Sequence, residues 1–288
     1  TVVKCLTPRR WSQSQPAVRT YATQLVDKLI AKPVADLQVD LMYSLPAFAG
    51  FALLGFPTED TDLLKAWCIN RMLLTYGQLP PDQQILAAQK VVDFWDYAAA
   101  HVQRRIKDPG DDLTSDLLEV SRKSNGEVTT EDVLNIVYST SLASHETSQN
   151  GMLNGVRRLL ENRDQWNLLC EEPALIPNAV EELLRYDAPA ISLRRKTTRD
   201  TEIGGIPIPA GARVMMLTGS ANRDPQHFSD PETLDLRRPN AREHLSLGEQ
   251  WHFCLGAPLA RFAYGLVLEP LTQTAPYLRL LARQSVVS

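Results

Sequence analysis

The sequence predicts a mainly α-helical chain with a small β portion, and three features predict it. Apolar residues recur at three- and four-residue intervals from Pro16 to about Arg104; an uninterrupted helical pattern runs from Thr129 toward Asn162; and the period changes to alternation over 202–214. With 288 residues, 44% apolar and 22% charged, the chain buries a substantial core and fits one large domain or two ordinary ones.

The first helical region is marked by Val18, Tyr21, Leu25 and Leu29, and again by Leu86, Val91, Phe94 and Tyr97. Pro33, Pro46, Pro57 and the Pro80-Pro81 pair divide it into segments, and Lys107-Asp-Pro-Gly-Asp-Asp112 reads as a loop. Thr129 suits the N-cap of the next helix, with Glu131 and Asp132 favourable in its first turn. As one helix, residues 130–160 would span about 45 Å, with a break expected near Asn162. A further helix covers 176–186. Glu202–Val214 alternates around Pro209-Ala-Gly211 and reads as a β-hairpin, and a last helix runs from about Leu255 to Leu271.

The net charge of −4 is spread without a basic block or basic-aromatic interleaving, which argues against a nucleic-acid partner. Cys5, Cys68, Cys170 and Cys254 stand at least 63 positions apart, so the spacing supports neither a metal knuckle nor a disulfide framework and points to a reducing, cytoplasmic setting. No run approaches the roughly 18 apolar residues of a membrane helix.

Chemistry concentrates in His252-Phe-Cys-Leu-Gly-Ala-Pro-Leu-Ala-Arg261. A cysteine just ahead of a helix meets free backbone N–H groups and the positive end of the helix dipole, which favour the thiolate and hence metal ligation. By itself such a cysteine is more often inert packing. The segment, however, resembles the haem-binding loop of the cytochrome P450 family, with Gly248, His252, Cys254 and Gly256 at matching spacing. It departs from the family pattern at Leu247, where phenylalanine is usual, and at Gln250, where glycine is usual and a side chain resists the backbone conformations that glycine permits.

Ala143-Ser-His-Glu-Thr-Ser148 resembles the family's central-helix signature, with Ser144 replacing a glycine. Val133, Ile136, Val137, Thr140, Ala143 and Thr147 share one helical face by spacing, and the Thr147 hydroxyl is expected to bond back to the Ala143 carbonyl and loosen the helix. The acid-alcohol pair Glu146 and Thr147 suits relay of protons to dioxygen; without the cysteine loop, a solvated polar patch would be the better reading. A zinc-protease motif fails because Gln149 stands where its second histidine belongs.

The resemblance extends to Glu182 and Arg185, at i and i+3, which in the family form a buried structural network with a later arginine, here Arg238 with Arg237 as the alternative. It assigns haem-propionate partners to Arg195 and His252, an oxygen- and haem-facing position to Ala143, and substrate-facing positions to Thr140, Ala190 and Ile191. It covers essentially the whole chain from Leu6 onward and implies a single partial cytochrome P450 domain over residues 1–288, in which the family's amino-terminal part and final β elements are absent.

Three functional readings follow. In the first, Cys254 ligates the iron of haem b, and the chain inserts one oxygen atom of O2 into an apolar small molecule. Because no dinucleotide or flavin motif is present, electrons then come from a ferredoxin- or flavodoxin-type protein or a fused reductase, and the wording around Pro239–Ser246 is similar to the reductase-fused bacterial subgroup. In the second, the chain keeps the fold without a competent haem site. A peroxide-driven enzyme is a third variant, disfavoured by Glu146 and Thr147.

Overall fold

A computed structural model of the chain describes residues 5–281. Among these, helices dominate and the strands form two small antiparallel sheets, as the sequence periodicity predicts. The chain divides into two compact units. One holds the residues up to Gln149 together with Leu255–Val267, the other Asn150–Cys254 together with the residues from Leu268 onward.

In the first unit, α1 (Pro8–Ile30) begins eight residues ahead of the sequence expectation and carries Pro16 inside it. Thr7 is the reason: its side chain accepts a hydrogen bond from the Arg10 amide and caps the helix there. Prolines open the next helices, Pro46 in α2 (Leu45–Leu54) and Pro81 in α4 (Pro81–Lys107), where a missing N–H costs nothing. Between them lies α3 (Thr61–Tyr76), which packs along α4. The helix α5 (Leu113–Lys123) follows, with Asp112 as N-cap. Phe51, Leu54, Leu64, Phe94, Leu117, Val133 and Val137 are buried in this unit.

Two helices, rather than one, occupy 130–161: α6 (Thr130–Ala143) and α7 (Glu146–Glu161). The start is as expected, and reinforced: Thr129 and Asp132 form a reciprocal capping box worth about 1 kcal/mol. The break at Ser144-His145 falls where loosening was expected, but not through the expected bond, since no Thr147-to-Ala143 hydrogen bond is present among the described residues. Instead the Ser141 hydroxyl donates to the Val137 carbonyl (2.7 Å), the Ser144 hydroxyl to that of Ser141 (3.2 Å), and His145 Nδ1 lies 3.0 Å from the same carbonyl. Three side chains competing for the carbonyls of one turn end the helix. The second break, at Asn162, falls where the sequence placed it, and α8 (Arg163–Glu171) begins one residue later.

The second unit contains α9 (Ile176–Tyr186) and all four strands. β1 (Leu193–Lys196) pairs with β4 (Arg213–Met216), and β2 (Thr201–Ile203) with β3 (Ile206–Ile208). This corrects the predicted hairpin around Pro209-Ala-Gly211. The hairpin turn is Gly204-Gly205, both at positive φ (58° and 80°), as a tight two-residue turn requires, whereas Pro209–Gly211 carries the chain from one sheet to the other. The short α10 (Thr218–Ala221) follows β4, and α11 (Ala257–Thr274) closes the helical set.

Candidate functional site

In the second unit, α9 places Glu182 and Arg185 on its buried side, both with fully buried side chains. Arg185 grips Glu182 with two N–H groups, Nε to Oε2 at 2.7 Å and Nη2 to Oε1 at 2.9 Å. Arg238 Nε lies 3.1 Å from both carboxylate oxygens. Arg237, the sequence alternative, instead pairs with Glu172 on the surface. Each guanidinium also meets backbone carbonyls: Arg185 those of Asn222, Pro231 and Thr233, and Arg238 those of Ser229, Asp230 and Thr233. Burying such ions is tolerable because every guanidinium nitrogen finds at least one acceptor.

Next to this network runs the Leu245–Cys254 loop. Gly248 sits at φ 73°, and a Cβ there would lie 2.5 Å from the His252 carbonyl oxygen, so the loop closes only over glycine. The Cys254 amide donates to the Leu247 carbonyl (2.7 Å), pinning the two ends of the loop together. Gln250 adopts φ 49°, the left-handed conformation its replacement of glycine put in question, so the backbone shape persists with a strained residue carrying it. Cys254 is exposed, and Trp251, Phe253 and Leu255 beside it are exposed as well.

A cavity of about 340 Å³ lies against this loop. Arg195, His252 and Gly248, three of the positions matched to the haem loop and propionates, line it together with Gln250, Leu245, Thr218 and Met216. Strand alternation explains the choice of Arg195 among three consecutive basic residues: it shares the half-buried face of β1 with Leu193, while Arg194 and Lys196 point to solvent. Of the substrate-facing expectations in this unit, Ala190 gives its carbonyl to the Thr218 hydroxyl (2.9 Å), and exposed Ile191 gives its carbonyl to the Gly219 amide (3.0 Å).

In the first unit, the helical face read from spacing is split. Val133, Val137, Ser141, His145 and Gln149 form the buried stripe, whereas Thr140 is half-buried and Ala143 and Thr147 are exposed on the neighbouring strip. Ser144 turns toward α2, where a Cβ on Gly50 would fall 2.1 Å from its hydroxyl oxygen. Glu146 is half-buried, 3.9 Å from His145 Nε2, which is too far for a hydrogen bond. Burial and then nearby Lys65 press the His145 imidazole down to about 3, so it is neutral and forms no ion pair with Glu146. Lys65, itself buried and lowered to about 8 chiefly by desolvation, donates to Gln149 Oε1 (2.6 Å) and lies over the Tyr43 ring.

Sequence reasoning missed Lys65, weighed Gln149 only as the residue that breaks a zinc motif, and gave no role to Asn222, Ser246, His244 and Glu181 around the cysteine loop. Their contacts join positions 23 to 84 residues apart, which no helical or strand period reveals.

The comparisons with known proteins agree with one another. Residues 79–274 match the family described as Cytochrome P450. The chain is 34% identical to the steroid C26-monooxygenase of Mycobacterium tuberculosis, over 98% of this chain and 75% of that protein. Among solved structures it resembles cytochrome P450 CREJ in complex with (4-ethylphenyl) dihydrogen phosphate, at 38% identity and a TM-score of 0.91, covering 97% of this chain and 70% of that one. It also resembles an intact type IV self-sufficient cytochrome P450 monooxygenase, at 34% identity and a TM-score of 0.93, covering 98% of this chain and 37% of that one. A family match over more than half of the chain, with relatives aligned along nearly all of it, means that the chain belongs to the cytochrome P450 monooxygenase family.

Proposed function

We propose that the chain is the larger part of a haem-thiolate enzyme that hydroxylates an apolar small molecule with O2, residues 1–288 forming a single partial catalytic domain. The observation that carries this reading is the cavity that brings Arg195 and His252 together beside the glycine-closed loop ending in Cys254. The residues fit a haem. Arg195 and His252 offer donors for two propionates, glycine at 248 permits the loop's tight turn where a Cβ would clash, and Met216 and Leu217 in the cavity lining present apolar surface to a flat ring.

Bound haem would supply iron for oxygen activation, with a cysteine thiolate donating electron density to favour O–O cleavage. Cys254 is the ligand in this reading, and Gly248 and Gly256 keep side chains away from the loop's approach. Half-buried Glu146 takes protons from solvent and passes them toward Thr147, whose exposed hydroxyl is free of intramolecular bonds among the described residues. Ala143 leaves room beside that hydroxyl, and Thr140, Ala190 and Ile191 contact substrate. Electrons come from a ferredoxin- or flavodoxin-type donor or from a fused reductase, the latter supported by the likeness to a self-sufficient enzyme.

The second reading, a cytochrome P450 fold without a competent haem site, is favoured by the positive φ of Gln250. A carbon-monoxide difference spectrum of the reduced, haem-supplemented protein separates the two. The red-shifted Soret band of thiolate-ligated haem supports the enzyme, and its loss in Cys254→Ser identifies the ligand; a wild-type protein without that band sinks the first reading. Given a turning-over enzyme, Glu146→Gln lowers product formation by about 10²-fold with an unchanged Soret band.

A further inference from the structure

We propose that Asn222 is a positioning residue for the cysteine loop, transmitting the fixed geometry of the buried Glu182–Arg185–Arg238 network to the backbone of Cys254. Asn222 is completely buried and follows α10 directly. Its carbonyl oxygen accepts from Arg185 Nη1 at 2.8 Å, so its backbone is tied to the ion network. Its side-chain amide faces the loop with both functional atoms engaged: Oδ1 accepts from the Leu245 amide (2.7 Å), and Nδ2 donates to the Ser246 hydroxyl oxygen (2.7 Å). Ser246 passes its own proton on to the Leu184 carbonyl (2.6 Å), back on α9. One residue later, Leu247 accepts the Cys254 amide at 2.7 Å. The links from Glu182 to Cys254 are therefore continuous, and each is a hydrogen bond or a peptide bond.

A second anchor fixes the same segment. His244 is buried, with Nε2 3.2 Å from Glu181 Oε2 and Nδ1 accepting from the Ser246 amide at 3.2 Å. Those partners assign the proton to Nε2. Neighbouring residues on α9, Glu181 and Glu182, thus serve different ends: the first orients the loop's entry through His244, the second through Arg185 and Asn222.

Only asparagine suits the central position. Aspartate retains the acceptor for Leu245 but has no N–H for Ser246, and leucine, of similar size, has neither. Since a buried amide left without its partner costs more than a hydrogen bond gains, loss of the Asn222 side chain releases the loop rather than merely weakening it.

The inference rests on the haem-loop reading, but the test does not require haem to bind. Amide hydrogen exchange of the 288-residue protein without haem is measured by mass spectrometry over peptides covering 245–254, for wild type, Asn222→Leu, Asn222→Asp and Ser246→Ala. The expected result is exchange faster by about tenfold or more in that segment for Asn222→Leu, a smaller rise for Asn222→Asp and Ser246→Ala, and unchanged exchange across α4 and α6. Equal rates in all four proteins overturn the proposal. If Asn222→Leu accelerates exchange everywhere, the graded pair Asn222→Asp and Ser246→Ala decides: segment-confined acceleration supports positioning, and uniform acceleration refutes it. In haem-loaded protein, the same variants lose the red-shifted Soret band in the same order. Absence of that band in wild type defeats the haem reading while leaving the exchange result to judge Asn222.

Discussion

Gln250 and Gly248 stand two residues apart in the same loop, both at positive φ, yet they carry opposite expectations. At Gly248 the obstacle is an atom: an added Cβ meets the His252 carbonyl oxygen at 2.5 Å, and the backbone must move. At Gln250 the obstacle is conformational only, a left-handed residue costing about 1–2 kcal/mol, against which glycine's extra freedom in the unfolded chain sets about 0.4–1 kcal/mol. Gln250→Gly is therefore expected to stabilise the loop by about 0–1.6 kcal/mol and to raise haem retention in a dilution assay. Gly248→Ala should cost about 1–3 kcal/mol locally and lower retention. A Gln250→Gly protein that loses haem faster than wild type would contradict this account of the strain.

Among the elements, α6 and α7 show how a helix long by periodicity becomes two. The hydroxyls of Ser141 and Ser144 and the imidazole of His145 take up carbonyls of the turn between them, and the break puts Ser144 into the notch over Gly50 on α2. A methyl at Gly50 would stand 2.1 Å from the Ser144 oxygen and 2.6 Å from its Cβ, so rotating the hydroxyl does not relieve the clash. Gly50→Ala is expected to lower stability by about 1–3 kcal/mol, read from the urea midpoint. Adding Ser144→Gly should return most of it, because the two positions share one contact. Additive losses in the double variant would show that the contact does not govern the crossing.

For the molecule as a whole, the buried imidazoles of His101 and His145 make stability fall in mild acid. Both take up a proton near pH 6.5 in the unfolded chain. In the folded chain, desolvation holds His101 down to about 4, its Nε2 meeting the Leu54 carbonyl, and holds His145 down to about 3. Between those values and 6.5 the unfolded state binds more protons, so this stability is present above pH 6.5 and is lost as the pH falls, by up to about 1.4 kcal/mol per pH unit for each histidine. Urea midpoints measured from pH 7 to pH 4 should fall steeply in wild type and less so in His101→Gln with His145→Gln; parallel slopes would exclude these residues as the cause. No helix among the described residues is long and apolar enough to cross a membrane, and no cluster of metal-ligating side chains occurs among them.

Local signals in the sequence determined the helical class, the Thr129 cap, the break at Asn162 and the cysteine loop's motif, because caps, periods and short motifs act over a few residues. The misplaced hairpin turn was also local: two glycines at positive φ outrank a Pro-Ala-Gly turn, and the alternation ran through both. What the tertiary structure alone decided is the choice of Arg238 over Arg237, the pairing of β1 with β4 that puts Arg195 on the cavity, the burial of Lys65 and His145, and the grip of Asn222 on Leu245 and Ser246. Each depends on groups tens of residues apart, brought together by burial of the helices they stand on, and burial fixes partners that spacing along a chain does not encode.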